Sequence, residues 1–392
     1  HLSACQSDRS DSYPHEAEEI GSVYDVYNAS LMPDLQVNTF RNTDRLFATR
    51  TVKRGPNVYD LPYTDDVIVG VNIAVDGQDF DFFDYVSLNR VAGLLVIKEG
   101  EIVHESYHLG NTEETRWMSM SVAKSITATL AGAALQDGYI DSLDDTVGQY
   151  IPVLRDSAYE KVSVRQLLQM TSGVGWVEPY ADPDSNRKVL LEAQIAQLPG
   201  GMIEVMKALP RVAEPGQVWN YSTGETQVLG ELLVSATGMT LADYLSEKIW
   251  ASFGMESDAE WWLDSPNGVE IGGSGLSATL RDYGRFGQFL LDEGMVKGER
   301  VLPAGWIEES TREQIIGNDP IPYGYMVWPV PIQAGEAHRT AYEAKGLYGQ
   351  LIYVNPKESL VIVVLRAWPV SWLMNPLISD YQFFDMVIET LR

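Results

Sequence analysis

The stretch from Trp117 to Leu135 constrains this chain more than any other. Apolar residues at Val122, Ile126, Ala133 and Leu135, with alanines between them, predict a helix buried around most of its circumference. Ser121 and Lys124 stand at its first turn, three residues apart, so their side chains share one face. A hydroxyl there lies near the positive end of the helix dipole, where developing negative charge is favoured. Burial disfavours a charged ammonium and can turn a group with a reference pKa of about 10.4 into a usable base. Serine needs such a neighbour, because a free hydroxyl is a poor nucleophile at neutral pH. The pair predicts a serine–lysine acyl-transfer centre; the bland alternative is a serine that merely caps a core helix. A second Ser-x-x-Lys, Ser185 to Lys188, follows Asp182-Pro183-Asp184 with no apolar periodicity before it and reads as a solvated loop.

With 392 residues and 45% hydrophobic content, the chain can bury a large core and divide into two lobes. No apolar run approaches the roughly 20 residues of a membrane span. The formal charge of −27, from 55 acidic and 28 basic residues, leaves no basic stripe to meet phosphates and argues against a nucleic-acid partner. A lone cysteine, Cys5, excludes a disulfide within the chain and an all-cysteine metal site. Leu2-Ser3-Ala4-Cys5, followed by Ser- and Asp-rich residues, resembles the lipobox of bacterial lipoproteins. That resemblance implies a lipidated Cys5, an apolar signal segment upstream, and a body facing the periplasm or another envelope compartment from a membrane anchor. An idle cysteine in a cytoplasmic protein is the alternative.

Residues 1–65 are polar, with scattered proline and glycine, and read as a tether and irregular arm. Val91 to Ile97 and Ile102 to Tyr107 flank a turn and predict a β-hairpin. Helices are predicted over Val164 to Met170, Thr226 to Thr237 (ended by Gly238) and Ala278 to Asp292, with a closing helix over Tyr381 to Leu391. Leu351 to Val354 and Leu360 to Leu365 predict late strands around a turn. Strands near both ends with helices between them predict an α+β fold. Its antiparallel sheet is flanked by helices in a domain of residues 66–138 and 275–392, with a mainly helical lobe, 139–274, inserted.

His104-Glu105-Ser106-Tyr107-His108 matches the zinc-protease pattern His-Glu-x-x-His. That pattern needs a helix, where positions four apart share a face. In a strand the two histidines would be about 13 Å apart, too far for one zinc ion. No Gly-x-Ser-x-Gly elbow is present, and no local signature supports a Ser-His-Asp triad among the five histidines.

Five segments occur in one order. They are Ser121-Val122-Ala123-Lys124; Val162 to Gly173; Glu214-Pro215-Gly216-Gln217-Val218-Trp219-Asn220-Tyr221-Ser222-Thr223; Gly275 to Asp282; and Gly346-Leu347-Tyr348-Gly349-Gln350. Together they resemble the superfamily of penicillin-binding proteins, class C β-lactamases and family VIII esterases. Within it the likeness is greatest to the 6-aminohexanoate-dimer hydrolases, which act on nylon oligomers. The resemblance implies a β-lactamase/transpeptidase-like fold and a hydrolase of small amides or esters that needs no metal or organic cofactor. It implies Ser121 as nucleophile, Lys124 as general base and Tyr221 in proton transfer. The backbone N–H groups of Ser121 and Leu347 become the oxyanion hole. Tyr180, in Glu178-Pro179-Tyr180-Ala181-Asp182-Pro183, matches a tyrosine that closes over substrate, and Thr223 and Gly346 fall at substrate-binding positions.

Two departures matter. Thr223 stands where the second motif usually has asparagine, and the third motif's lysine is one place late in Ala344-Lys345-Gly346. One place along a strand turns a side chain to the opposite face, so recognition of a β-lactam carboxylate is expected to be absent. A β-lactamase or D-Ala-D-Ala peptidase, and a silent binding protein on the same scaffold, are the competing expectations.

Overall fold

The computed structural model describes residues 12–392, so Cys5 and its lipobox-like neighbours lie outside the described residues. The central antiparallel sheet has six strands: β1 (Val91–Lys98), β2 (Glu101–Tyr107), β3 (Trp328–Pro329), β4 (Tyr342–Gly346), β5 (Gln350–Asn355) and β6 (Leu360–Arg366). Their order is β3-β4-β5-β6-β1-β2, which places the first hairpin beside the last long strand. Both faces of the sheet's centre are covered, so β1 and β6 are almost continuously apolar rather than alternating with polar residues. Alternation appears instead as a division between two cores. In β6, Val361, Val363 and Leu365 enter one, while Leu360, Ile362 and Val364 enter the other.

The helices that matter here are α1 (Val122–Asp137), α2 (Asn186–Ile195), α3 (Thr223–Thr237), α4 (Leu280–Leu291) and α5 (Asp380–Leu391). Helix α4 packs on β1, β5 and β6, with α1 beside it against β4 and β5 and against α3. Phe383, Phe384, Val387 and Ile388 of α5 fill the other core. The fold is α+β, an antiparallel sheet with helices against both faces, as expected. Among the described residues no single helix is long and apolar enough to cross a membrane.

Several details differ from the sequence expectation. The helix predicted from Thr226 starts at Thr223, because Ser222 caps it by accepting from the Glu225 N–H at 3.2 Å. The helix predicted from Ala278 starts at Leu280, because Leu276–Thr279 pairs as a strand with Arg116–Met118. The arm is not merely irregular. It holds helices Val23–Tyr27 and Pro33–Phe40, and its Thr49–Val52 pairs with Ala259–Trp262, inside the stretch expected to be helical.

Ser185 to Lys188 is no solvated loop. Ser185 is buried and accepts from the Lys188 N–H at 3.1 Å, opening α2, and Arg187 is buried as well. The buried apolar residues of this helix, Leu190 and Leu191, follow the motif instead of preceding it.

His104 and His108 also approach more closely than strand spacing predicted. Their Nε2 atoms lie 2.8 and 3.0 Å from the same Ser106 Oγ, because alternate residues share a strand face and these rings lean together. His104 Nδ1 is taken by Asp66 at 2.8 Å.

Candidate active site

Ser121 is held in place from both sides. Before it, Arg116–Met118 is a sheet strand, and Ser119 N–H donates to the Leu276 carbonyl at 2.8 Å. Met120 then takes a left-handed φ of 44°, a conformation a methionine adopts only under the constraint of its surroundings. After it, α1 runs through the core with Val122 to Ala134 all buried. Ser121 occupies the N-cap position, but its side chain makes no capping hydrogen bond, which removes the reading of a serine that merely caps.

The Lys124 Nζ lies 2.9 Å from Ser121 Oγ and donates to the Gly273 carbonyl at 2.9 Å. Lys124 is 2% exposed. Burial pushes its pKa down to about 7, with the Arg187 charge adding to the fall and the Glu178 carboxylate opposing it. Near neutral pH much of this amine is therefore uncharged.

Tyr221 precedes the cap of α3. The end of helix Val164–Gln169 positions it, where Met170 turns left-handed at φ 56° and its carbonyl accepts from the Asn220 N–H at 2.9 Å. The Tyr221 ring stacks on Trp328 at 5.9 Å, and Lys124 Nζ sits 5.3 Å from its centroid. Burial pushes the Tyr221 pKa far up and the Glu178 charge raises it further, while the Ser121 hydroxyl draws it partly back. The group therefore stays a phenol at any ordinary pH, with the Ser121 hydroxyl beside it.

These three residues open onto a cavity of about 560 Å³ that Tyr180, Thr223, Gly346 and Leu347 also line. Gly346 must be glycine, since a Cβ there would lie 2.5 Å from the Ser119 carbonyl oxygen and 3.0 Å from Met120 Cβ. That close approach brings β4 against the turn before Ser121, and Leu347 lines the same cavity as Ser121. Among the described residues, neither the Ser121 nor the Leu347 N–H donates to another group. Thr223 lines the cavity, but its hydroxyl and its N–H both donate to the Glu178 carboxylate, the latter at 2.8 Å. Tyr180 packs on Tyr27 with ring centroids 5.5 Å apart and carries Lys188 Nζ 5.2 Å from its own.

Lys345 touches the cavity edge, yet its Nζ is 2.6 Å from Glu343 Oε2. Glu343 in turn accepts from Tyr381 of α5 at 2.9 Å, so this lysine leans to the face of the sheet away from α1. The cavity residues to which the sequence assigned no role include Glu178, Arg187 and Tyr27. Glu178 was legible only as a neighbour of Tyr180, and the other two lay in segments taken for solvated loop and arm.

The family model described as Beta-lactamase matches residues 89–370. The chain belongs to the beta-lactamase family. Its curated relatives include a 6-aminohexanoate-dimer hydrolase from Paenarthrobacter ureafaciens, 29% identical over 70% of this chain and 72% of that protein. A D-aminopeptidase from Brucella anthropi is 28% identical over 50% of this chain and 41% of its own length. Among solved structures, a candidate 6-aminohexanoate-dimer hydrolase from Bacillus anthracis superposes with a TM-score of 0.76 at 26% identity, covering 92% of this chain and 94% of that one. This beta-lactamase-family protein is an enzyme, a hydrolase.

Proposed function

We propose that this beta-lactamase-family hydrolase cleaves small amide or ester bonds through an acyl-enzyme on Ser121. The observation that carries the reading is a buried Lys124 with its Nζ 2.9 Å from the Ser121 hydroxyl, its pKa pushed down to about 7 by burial. Lys124 takes the Ser121 proton as Oγ attacks the carbonyl carbon. The oxyanion forms against the Ser121 and Leu347 N–H groups, a donor pair whose members are typically worth about 10²- to 10³-fold each in rate. Tyr221, kept as a phenol, passes a proton to the departing amine or alkoxide and is reprotonated from the Lys124 ammonium. Water attack on the acyl-enzyme, with Lys124 again as base, returns Ser121.

A penicillin-recognising activity would need a free cation on the site face of β4, and the Lys345–Glu343 pair speaks against one. The test is a side-by-side assay of a short-chain p-nitrophenyl ester, 6-aminohexanoate dimer and nitrocefin, with fluorophosphonate labelling of the nucleophile. Ser121→Ala is expected to lose turnover and labelling together while melting like the parent. Retained turnover in Ser121→Ala would dismiss the nucleophile, and an unlabelled parent would favour a silent binding protein.

A further inference from the structure

The cavity wall opposite Ser121 holds a positive charge that the chemistry above does not use. Three cationic side chains line the cavity: Lys124, Lys345 and Arg187. Lys124 serves the nucleophile, and Lys345 is neutralised by Glu343. Arg187 is 6% exposed. Among the described residues its guanidinium makes one hydrogen bond, from Nη2 to the Tyr27 hydroxyl at 2.8 Å, and no ion pair. The Tyr27 ring lies 4.8 Å from the guanidinium carbon and fixes its plane. A guanidinium has five N–H donors in a fork that fits a carboxylate, so most of this one's donors lack a protein acceptor.

The carboxylate of the same wall, Glu178, is already engaged by Thr223 and by Trp176 Nε1 at 2.5 Å. A buried charge without a counter-ion is costly to the fold. Its placement beside the reacting groups suits an anionic ligand better than a structural tie. The Arg187 charge also reaches the centre itself, lowering the pKa of both Lys124 and Tyr221. On a protein of net charge −27, an anionic ligand needs such a local cation to be drawn in at all.

We propose that Arg187 is a specificity-determining residue that binds a free carboxylate on the substrate, so that the preferred substrates are amides or esters ending in a carboxylate. The proposal rests on the hydrolase reading above, and the two can fail separately. Hydrolysis of any neutral ester, with labelling of Ser121, reports on the first; preference for a carboxylate reports on the second.

The measurement is the ratio of kcat/KM for acid and neutral partners. One pair varies the acyl half (mono-4-nitrophenyl adipate against 4-nitrophenyl butyrate). The other varies the leaving half (6-aminohexanoate dimer against its C-terminal amide). The parent enzyme is expected to favour the acid in at least one pair. Arg187→Gln should cut that ratio about 10- to 100-fold, as loss of a charge-assisted pair does, with Arg187→Lys between them. A merely structural role would lower both partners and leave the ratio alone. A parent without preference, a ratio unmoved by Arg187→Gln, or one abolished by Lys345→Gln in its place would overturn the proposal. Should Arg187→Gln not fold, Arg187→Lys and the parent decide. Adipate should then protect Ser121 from the fluorophosphonate where adipamide does not, and equal protection would sink the idea.

Discussion

Ser121 and Lys124 come from a single helical turn, whereas the wall they face takes Tyr27 from the N-terminal arm, Glu178 and Tyr180 from a loop, and Arg187 from α2. The two sides are also held differently. Ser121 is fixed by buried backbone, a sheet strand on one side and a core helix on the other. The facing wall is held through side chains: Tyr27 on Tyr180, Arg187 on Tyr27, and Tyr24 reaching Glu192 at 3.1 Å. Groups locked by backbone are pre-organised for the bond-making step, whereas groups that brace one another can adapt to what is bound. Changes on the first side should therefore appear in kcat, and changes on the second in KM.

Tyr221→Phe probes the first side most sharply after loss of the nucleophile itself. Removing the phenolic proton while keeping the ring on Trp328 should lower kcat by about 10²- to 10⁴-fold. An effect confined to KM would break the distinction between the two sides.

The pH profile comes next. Lys124 must be uncharged to accept the Ser121 proton, and its pKa is pushed down to about 7. The acidic limb of kcat/KM should therefore bend near pH 7 and fall about tenfold per unit below it, reporting a group of the free enzyme. A bend near the ordinary lysine value would mean that the amine is not buried in solution.

Tyr27→Phe should have the smallest effect. It keeps the ring against Tyr180 but removes the acceptor of the Arg187 hydrogen bond. KM for a carboxylate-bearing substrate should rise about 2- to 10-fold, more than kcat falls, on the scale of one ordinary hydrogen bond, since Arg187 itself stays in place. Steady-state kinetics on that one substrate checks it, and a larger loss in kcat would place Tyr27 with the pre-organised side.

What could be read from residues alone follows the same division. The strands Val91–Lys98 and Leu360–Arg366 announce themselves as apolar runs, and the Ser121 helix as a buried periodic stretch. The tyrosine loop and the third-motif glycines were legible through family resemblance. Strand alternation did not take Lys345 clear of the site: it still reaches the cavity edge, where Glu343 holds its Nζ. Arg187 escapes a sequence reading because the helix's buried leucines come after the motif and its partner Tyr27 lies in the distant arm. Tyr27 was missed because nothing local marks an arm as a cavity wall.

Local pattern by itself determined the sheet, the buried helix and the spacing of Ser121 to Lys124, because each depends on residues a few places apart. Tertiary structure alone decided that Lys124 is buried with its pKa drawn down to about 7, since its surroundings come from Gly273 and Tyr221 as well as its own helix. It also decided the facing wall, where Arg187 meets a tyrosine 160 residues away. No short-range periodicity can encode such a contact; only the packing of the arm against the helical lobe brings those two side chains together.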